Sequence, residues 1–236
     1  MEKIAACGVS VLGACCGSSP EYIAELSGNL PAPLNSVECK VFEPACGDGG
    51  KSSRKEDDIW VHTENNRFLE QLQCKKVIAV ELDPPYDADD AKIIAAAARL
   101  KELGADILTV ADSPQGRSRM DSILTAVKLM AVTGMPVMPH ICCRDKNMIS
   151  MRSVLLGAYA NGIRNFLFVT GDPVPIQLRS SATGVFDYNS MKLMEFAREM
   201  NREHFQNEPM VYGGALNQGR VNFSVELSRA QKKIDA

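Results

Sequence analysis

Long apolar runs are missing from this chain. No stretch approaches the roughly 18 consecutive apolar residues that span a bilayer, which removes membrane-spanning helices from the expected classes. A basic stripe interleaved with aromatics is missing as well. The formal net charge is −3 and aromatics make up 6% of residues, so nucleic acid is not expected as a partner. A disulfide framework is absent in pattern, although not in count. There are eight cysteines without framework spacing, and two adjacent pairs stand out, Cys15-Cys16 and Cys142-Cys143. Such usage indicates reduced thiols in a cytoplasm. A convincing export signal is also lacking. The run ending Leu12-Gly13-Ala14-Cys15 has the outline of a lipoprotein cleavage site, but Glu2 cancels Lys3, and Gly8 and Ser10 interrupt the apolar stretch. A cytoplasmic location is the expectation.

What is present is an ordinary soluble composition, 45% hydrophobic and 23% charged, on a chain of 236 residues. That length suits one large domain or two small ones and buries a substantial core. The organising stretch runs from Met135 to Pro173. A short strand-forming run, MPVMPHICC, is followed by a helix-like segment with Met151, Leu155 and Ala158 in a stripe, then by a second apolar run, NFLFVT. This is a strand–helix–strand unit of a parallel sheet.

The same pattern extends both ways. KVIAVEL, DILTVAD and MVYGGAL have the composition of strands. Helical spacing follows each: Ile93, Ala97 and Leu100; Ile123, Val127 and Met130; and, last, Phe223, Leu227, Ala230 and Ile234. Leu193, Phe196 and Met200 mark the helix after NFLFVT. Asp90 is placed to cap the first of these helices, and Gly104 to stop it. Five consecutive strand–helix units result. Right-handed crossovers turn such a series into a barrel or an open wound sheet. An eight-unit barrel needs about 250 residues, so spacing alone favours a five-stranded flavodoxin-like sheet.

Upstream the pattern is different. Residues 1–26 contain a short strand at Val9–Leu12, the turn GACCGSSP and a helix start at Ser19-Pro20; NRFLEQLQ, from Asn65, is a short amphipathic helix. Residues 27–64 have linker composition, with Pro31, Pro33, a GDGG cluster and a charged run from Lys51 to Asp58. ACGDGGKS there fits a loose phosphate-binding loop, but SSRKEDDIW after it has no apolar face, so the match is read as chance.

The strand ends carry the chemistry. Glu81, Asp112, His140, Asp172 and Asn217 all fall at the carboxyl ends of their strands. Taken singly, each has a bland reading as a cap, a turn former or a satisfied core histidine. Together they lie on one rim, where α/β folds bind ligands. Spacing does not say which reaction occurs there.

VELDPP, PHICCRDKN, the helix ending NGIRN, and FVTGDP, in that order, resemble methylenetetrahydrofolate reductase, over residues from about Lys76 to Ala236. GVSVLGACCGSSPEYI resembles the end of the zinc-dependent homocysteine S-methyltransferase domain. The two together resemble the bacterial two-domain arrangement that joins these activities. The resemblance implies an α/β chain: a partial (β/α)8 TIM barrel at 65–236, preceded by the C-terminal tail of a second TIM barrel at 1–26 and a linker at 27–64. It implies FAD at the strand ends, NAD(P)H as co-substrate, and reduction of methylenetetrahydrofolate to methyltetrahydrofolate in one-carbon metabolism. Glu81 matches the general acid and Asp172 the aspartate near flavin and pterin. Ala111, Asp112, His140, Thr170, Gly171, Asn217, Glu226 and Lys233 match cofactor contacts.

The departures from the family carry weight. Thr170 stands where some members have arginine, and Ala111 where some have threonine. Cys15 and Cys16 supply two thiolates of a three-thiolate zinc site, so zinc is expected only in an intact upstream domain. With five units of eight, the chain is expected to be an inactive fragment, and homo-oligomer formation stays open. The alternatives are a flavodoxin-like binding module and a methyltransferase remnant. The module requires a phosphate cradle after its first strand, where Asp83-Pro84-Pro85 is a poor one.

Overall fold

The computed structural model describes residues 75–217 and 221–236, and the backbone of 11–14. Six strands form one sheet: β1 (Val11–Ala14), β2 (Val77–Leu82), β3 (Ile107–Val110), β4 (Val137–Cys142), β5 (Asn165–Val169) and β6 (Val211–Gly214). Five helices follow the last five strands: α1 (Ala91–Glu102), α2 (Ser122–Thr133), α3 (Met148–Ala160), α4 (Ser190–His204) and α5 (Phe223–Asp235). The strand order is β1-β2-β3-β4-β5-β6, and every pairing is parallel.

This order corrects the flavodoxin-like alternative. A doubly wound sheet reverses direction at a switch point, whereas here each strand lies beside its sequence neighbour. Right-handed crossovers that never reverse put the helices on one face, the winding of a (β/α) barrel, and five βα units of it are present. The expected strand at Val9–Leu12 lies two residues later, at Val11–Ala14, and pairs with β2 from Val11↔Val77 onward. Cys15, Cys16, the 27–64 linker and the helices expected at Ser19 and Asn65 fall outside the described residues.

Period-two alternation divides each strand between two environments. Leu108 and Val110, Val137 and Ile141, and Phe166 and Phe168 join the main core under the helices, each at most 1% exposed. Burying side chains of this size stabilises the fold by about 2 kcal/mol apiece. Val77, Ile107, Ala79 and Met138 form a smaller cluster on the opposite face.

Helix starts are fixed by polar caps. Asp121, Asn147, Asn189 and Asn222 accept from the amides of Leu124, Ser150, Lys192 and Val225, each worth about 1 kcal/mol. Asp90 departs from expectation. Its side chain makes no cap bond and pairs with Lys128, while Asp89 accepts from the Ala91 amide. The stripe of α2 also shifts. Ser122, Thr125, Ala126, Leu129 and Thr133 are buried, while Ile123, Val127 and Met130 pack at the flanks. Small residues facing the strands let the helix come close, and the bulkier ones fill the gaps beside it. On α5 the expected stripe is largely uncovered. Phe223, Leu227 and Ile234 are 46%, 50% and 76% exposed, and Glu226 is the helix's buried residue. The reason is position: α5 packs beside α4 behind the last strand, with no further described unit across it. Among the described residues, no helix is long and apolar enough to cross a membrane.

Candidate active site

Because all strands are parallel, their carboxyl ends share one rim. On the face away from the helices, β2 presents Val77, Ala79 and Glu81. Register places Glu81 beside Thr109 of β3, and Thr109 beside Met138 of β4. Two residues further along β4 is His140, beside Leu167 of β5. The apolar floor of this face thus gives way to Glu81, His140 and Cys142 at its upper end.

Glu81 and His140 meet there. Glu81 Oε2 is 3.8 Å from His140 Nε2. His140 is 8% exposed, and among the described residues Nε2 has no hydrogen-bond partner. Burial drives both side chains toward their neutral forms. It pushes His140 down to about 4, against the opposing charges of Asp112 and Asp83. It raises Glu81, with Asp83 adding to the rise. Ser122 Oγ donates to the His140 carbonyl at 2.8 Å and so fixes the strand end.

Asp112 has a different use. Its Oδ2 accepts from Lys146 Nζ at 2.9 Å and from the Cys142 amide at 3.0 Å, and its side chain is 9% exposed. Burial alone would lower the Lys146 pKa, but the Asp112 charge and hydrogen bond reverse the shift. Ala111 is buried, and its amide donates to Leu82 O at 3.2 Å. Asp112 therefore clamps β3 to the end of β4.

Arg144 is the hub that motif reading missed. It is 3% exposed and holds Asp145 through Nε and Nη2 at 2.8 and 2.6 Å. Its Nη1 reaches Ser113 O at 3.2 Å and Asp172 O at 3.3 Å. One guanidinium thereby ties together the loops after β3, β4 and β5. The signal for it was the Arg144-Asp145-Lys146 triplet placed directly after an apolar strand. Asp172 Oδ2 accepts from the Gln115 amide at 2.8 Å, which orients it toward the β3 loop. Gly171 has φ +90°, and a Cβ there would lie 3.0 Å from Cys142 Cβ. Only glycine suits that turn. The Thr170 hydroxyl is turned to the start of α4, accepting from the Ser190 amide at 3.2 Å.

Asn217, Glu226 and Lys233 form a second cluster on β6 and α5. Glu226 accepts from the Asn217 amide at 3.1 Å, and Lys233 Nζ donates to Ala215 O. A recess of about 540 Å³ is lined by Lys233 together with Met194, Tyr212, Gly214 and Ala230. Tyr212 belongs to the helix-side core, so this recess lies behind the sheet and apart from the Glu81–His140 pair. No group of three or more His, Cys, Asp or Glu among the described residues could hold a metal ion. Cys142 and Cys143 are free and buried, and burial pushes Cys142 up to about 12. Neither is an active thiolate.

A family profile described as "Methylenetetrahydrofolate reductase" matches residues 66–236. No curated protein matches the chain. Among solved structures, the carboxyl transferase domain of Rhizobium etli pyruvate carboxylase is 14% identical, with 72% of this chain and 26% of that one covered at a TM-score of 0.36. The same domain with oxamate and biotin gives 15%, 72%, 27% and 0.36. The complete multifunctional pyruvate carboxylase from Rhizobium etli gives 13%, 72%, 15% and 0.35. The chain spans about a quarter of the length of the first of these.

Proposed function

The chain belongs to the methylenetetrahydrofolate reductase family, and from that premise we propose that its rim serves the FAD-dependent reduction of 5,10-methylenetetrahydrofolate to 5-methyltetrahydrofolate with NAD(P)H. The supporting observation is the 3.8 Å approach of Glu81 to His140 at the strand ends. Opening the five-membered ring of the folate requires a proton on the departing nitrogen. Glu81 is the acid for that step. Burial first, and Asp83 second, keep its proton on to higher pH than in a free glutamate.

Asp172 is the charge that orients the pterin, held in place by the Gln115 amide and by Arg144 behind its carbonyl. The rim residues suit a flat heterocycle. His140 is a buried ring at the end of β4, and Gly171 turns the main chain tightly after β5. His140, Thr170, Gly171, Ala111 and Asp172 would hold the ring system of FAD. Asp112, Asn217, Glu226 and Lys233 would support the rest of the cofactor, with Lys233 supplying a cation for phosphate. When bound, FAD would accept a hydride from NAD(P)H and deliver it to the one-carbon unit.

The test is a visible spectrum after FAD addition and desalting, followed by two half-reactions. Wild-type protein should keep a flavin band that Asp172→Ala weakens. Glu81→Gln should keep the band, and any NAD(P)H oxidation by menadione that the wild type shows, while whatever folate turnover the wild type has falls by about 100-fold or more. Measurable and equal folate turnover in wild type and Glu81→Gln would remove Glu81 from the role.

A further inference from the structure

The pair of buried groups at the top of β2 and β4 supports a second conclusion, which rests on the reading of Glu81 as the acid. His140 Nε2 is enclosed and, among the described residues, lacks a hydrogen-bond partner. A ring nitrogen left so is costly, by about 1–3 kcal/mol, unless something supplies its bond. Glu81 Oε2 is at 3.8 Å, beyond hydrogen-bond length. Glutamate has freedom about its χ angles, and its side chain is 26% exposed, so it has room to close that gap.

The surroundings decide which atom carries the proton. On β2, Asp83 adds negative charge near Glu81 and is itself paired with Arg119 at 3.5 Å. On β3, Asp112 is matched by Lys146. On β4, the Cys142 thiol stays protonated. On β5, the neighbour across the ladder is Leu167, which contributes no charge. Among the described residues no uncompensated cation faces Glu81 to hold it ionised, and the negative charges nearby favour retention of its proton. A carboxylic acid in this setting needs an acceptor, and Nε2 is the buried acceptor beside it.

We propose that His140 is a positioning residue that holds Glu81 as a loaded acid: the carboxyl O–H of Glu81 donates to Nε2 of a neutral imidazole whose own proton is on Nδ1. When Glu81 gives its proton to a departing nitrogen, the carboxyl becomes a carboxylate and the nitrogen gains the proton. The imidazole keeps its single proton on Nδ1 and re-forms the bond once solvent has reprotonated Glu81. The reactive rotamer of Glu81 is thus set by the ring beside it.

Histidine-labelled protein provides the test, because the chain has three histidines, His62, His140 and His204. Long-range proton–nitrogen spectra at neutral pH should show His140 as the Nδ1-protonated tautomer, with Nε2 shifted upfield as a hydrogen-bonded acceptor. His140→Phe identifies its signals. In Glu81→Ala the Nε2 resonance should move downfield. With carbon-labelled glutamate, the Glu81 carboxyl should titrate at lower pH in His140→Phe than in wild type. His140→Gln, whose amide oxygen can stand in for Nε2, should restore the wild-type midpoint. An Nε2-protonated tautomer, or midpoints that coincide in wild type and His140→Phe, would overturn the proposal. If His140→Phe does not fold, the Glu81→Ala resonance shift decides alone. Loss of flavin binding and folate turnover alongside the expected spectra would support the shared proton and overturn the reductase reading only.

Discussion

The two faces of one sheet show different chemistry along the same strands. On β4, Val137 and Ile141 enter the core beneath the helices, while His140 and Cys142 point to the other side. The helix side is satisfied by contact alone. Its large residues, Phe166, Phe168, Leu155 and Met200, are fully buried and interchangeable in kind if not in shape. The opposite face is polar at its upper end, and its groups are individually placed: Asp112 is bonded to Lys146, Arg144 to three loops, and Glu81 lies 3.8 Å from His140. One face holds the strands together, and the other is arranged at some expense to stability. The same alternation that makes a strand also separates the two tasks.

That contrast can be broken from the helix side first. Phe166→Ala should cost about 4 kcal/mol in urea unfolding, and the residual folded protein should keep the Glu81–His140 spectra. The acid side comes next. His140 is neutral in the fold and its pKa lies near 4, below the 6.5 of an open imidazole. Between those values the unfolded chain binds the extra proton. Stability is therefore complete above about pH 6.5 and falls as pH drops toward 4, by up to about 3 kcal/mol. Urea midpoints at pH 7, 5.5 and 4 should show this slope in wild type and a flatter one in His140→Gln.

Asp112→Ala should cost about 3 kcal/mol, since it strands a half-buried Lys146 and frees the Cys142 amide. Asp112→Asn should recover part of that loss by keeping the amide bond. Gly171→Ala should cost about 2 kcal/mol from its positive φ and its closeness to Cys142, read as a drop in thermal midpoint. The smallest effect has the opposite sign. Glu81→Gln should raise the thermal midpoint by about 1–3 °C, because burial and Asp83 disfavour the charged carboxylate in the fold, a cost at neutral pH that an uncharged isostere avoids. A fall in midpoint would mean that the rim carboxyl supports the fold.

Much of this was legible in the residues. Strand–helix alternation located five units, and Met151, Leu155 and Ala158 fall where helical spacing put them, each at most 1% exposed. Strand order was not legible. Length alone pointed to a reversing sheet, and nothing local in a crossover says which edge the next strand will join. The offset stripe of α2 escaped because hydrophobicity was followed where size mattered: Ser122 and Ala126 are buried because they are small. On the rim, residue types put Glu81, His140 and Asp172 at strand ends, but did not indicate that Asp112 would be consumed by Lys146 or that Arg144 would bridge three loops. Those bonds depend on loop paths, which period and propensity do not encode.

The sequential strand order has a kinetic side. Each ladder from β2 to β6 joins strands separated by one helix and its loops, with pairs such as Ala79↔Ile107, Leu108↔Val137 and His140↔Leu167 close in the chain and Asn165↔Val211 farther apart. Sequential pairing lets the sheet grow stepwise from any well-packed pair, each step carrying the loop-closure cost that makes parallel pairing slow. The Phe166–Phe168–Tyr212 stack and the β4–β5 ladder are the natural nucleus, with the flanking units adding outward. β1 is the exception, because its partner β2 begins more than sixty residues later in the chain. That pairing should form last and open first, so amide exchange should be slowest at Phe166 and Phe168 and quicken toward both margins of the sheet.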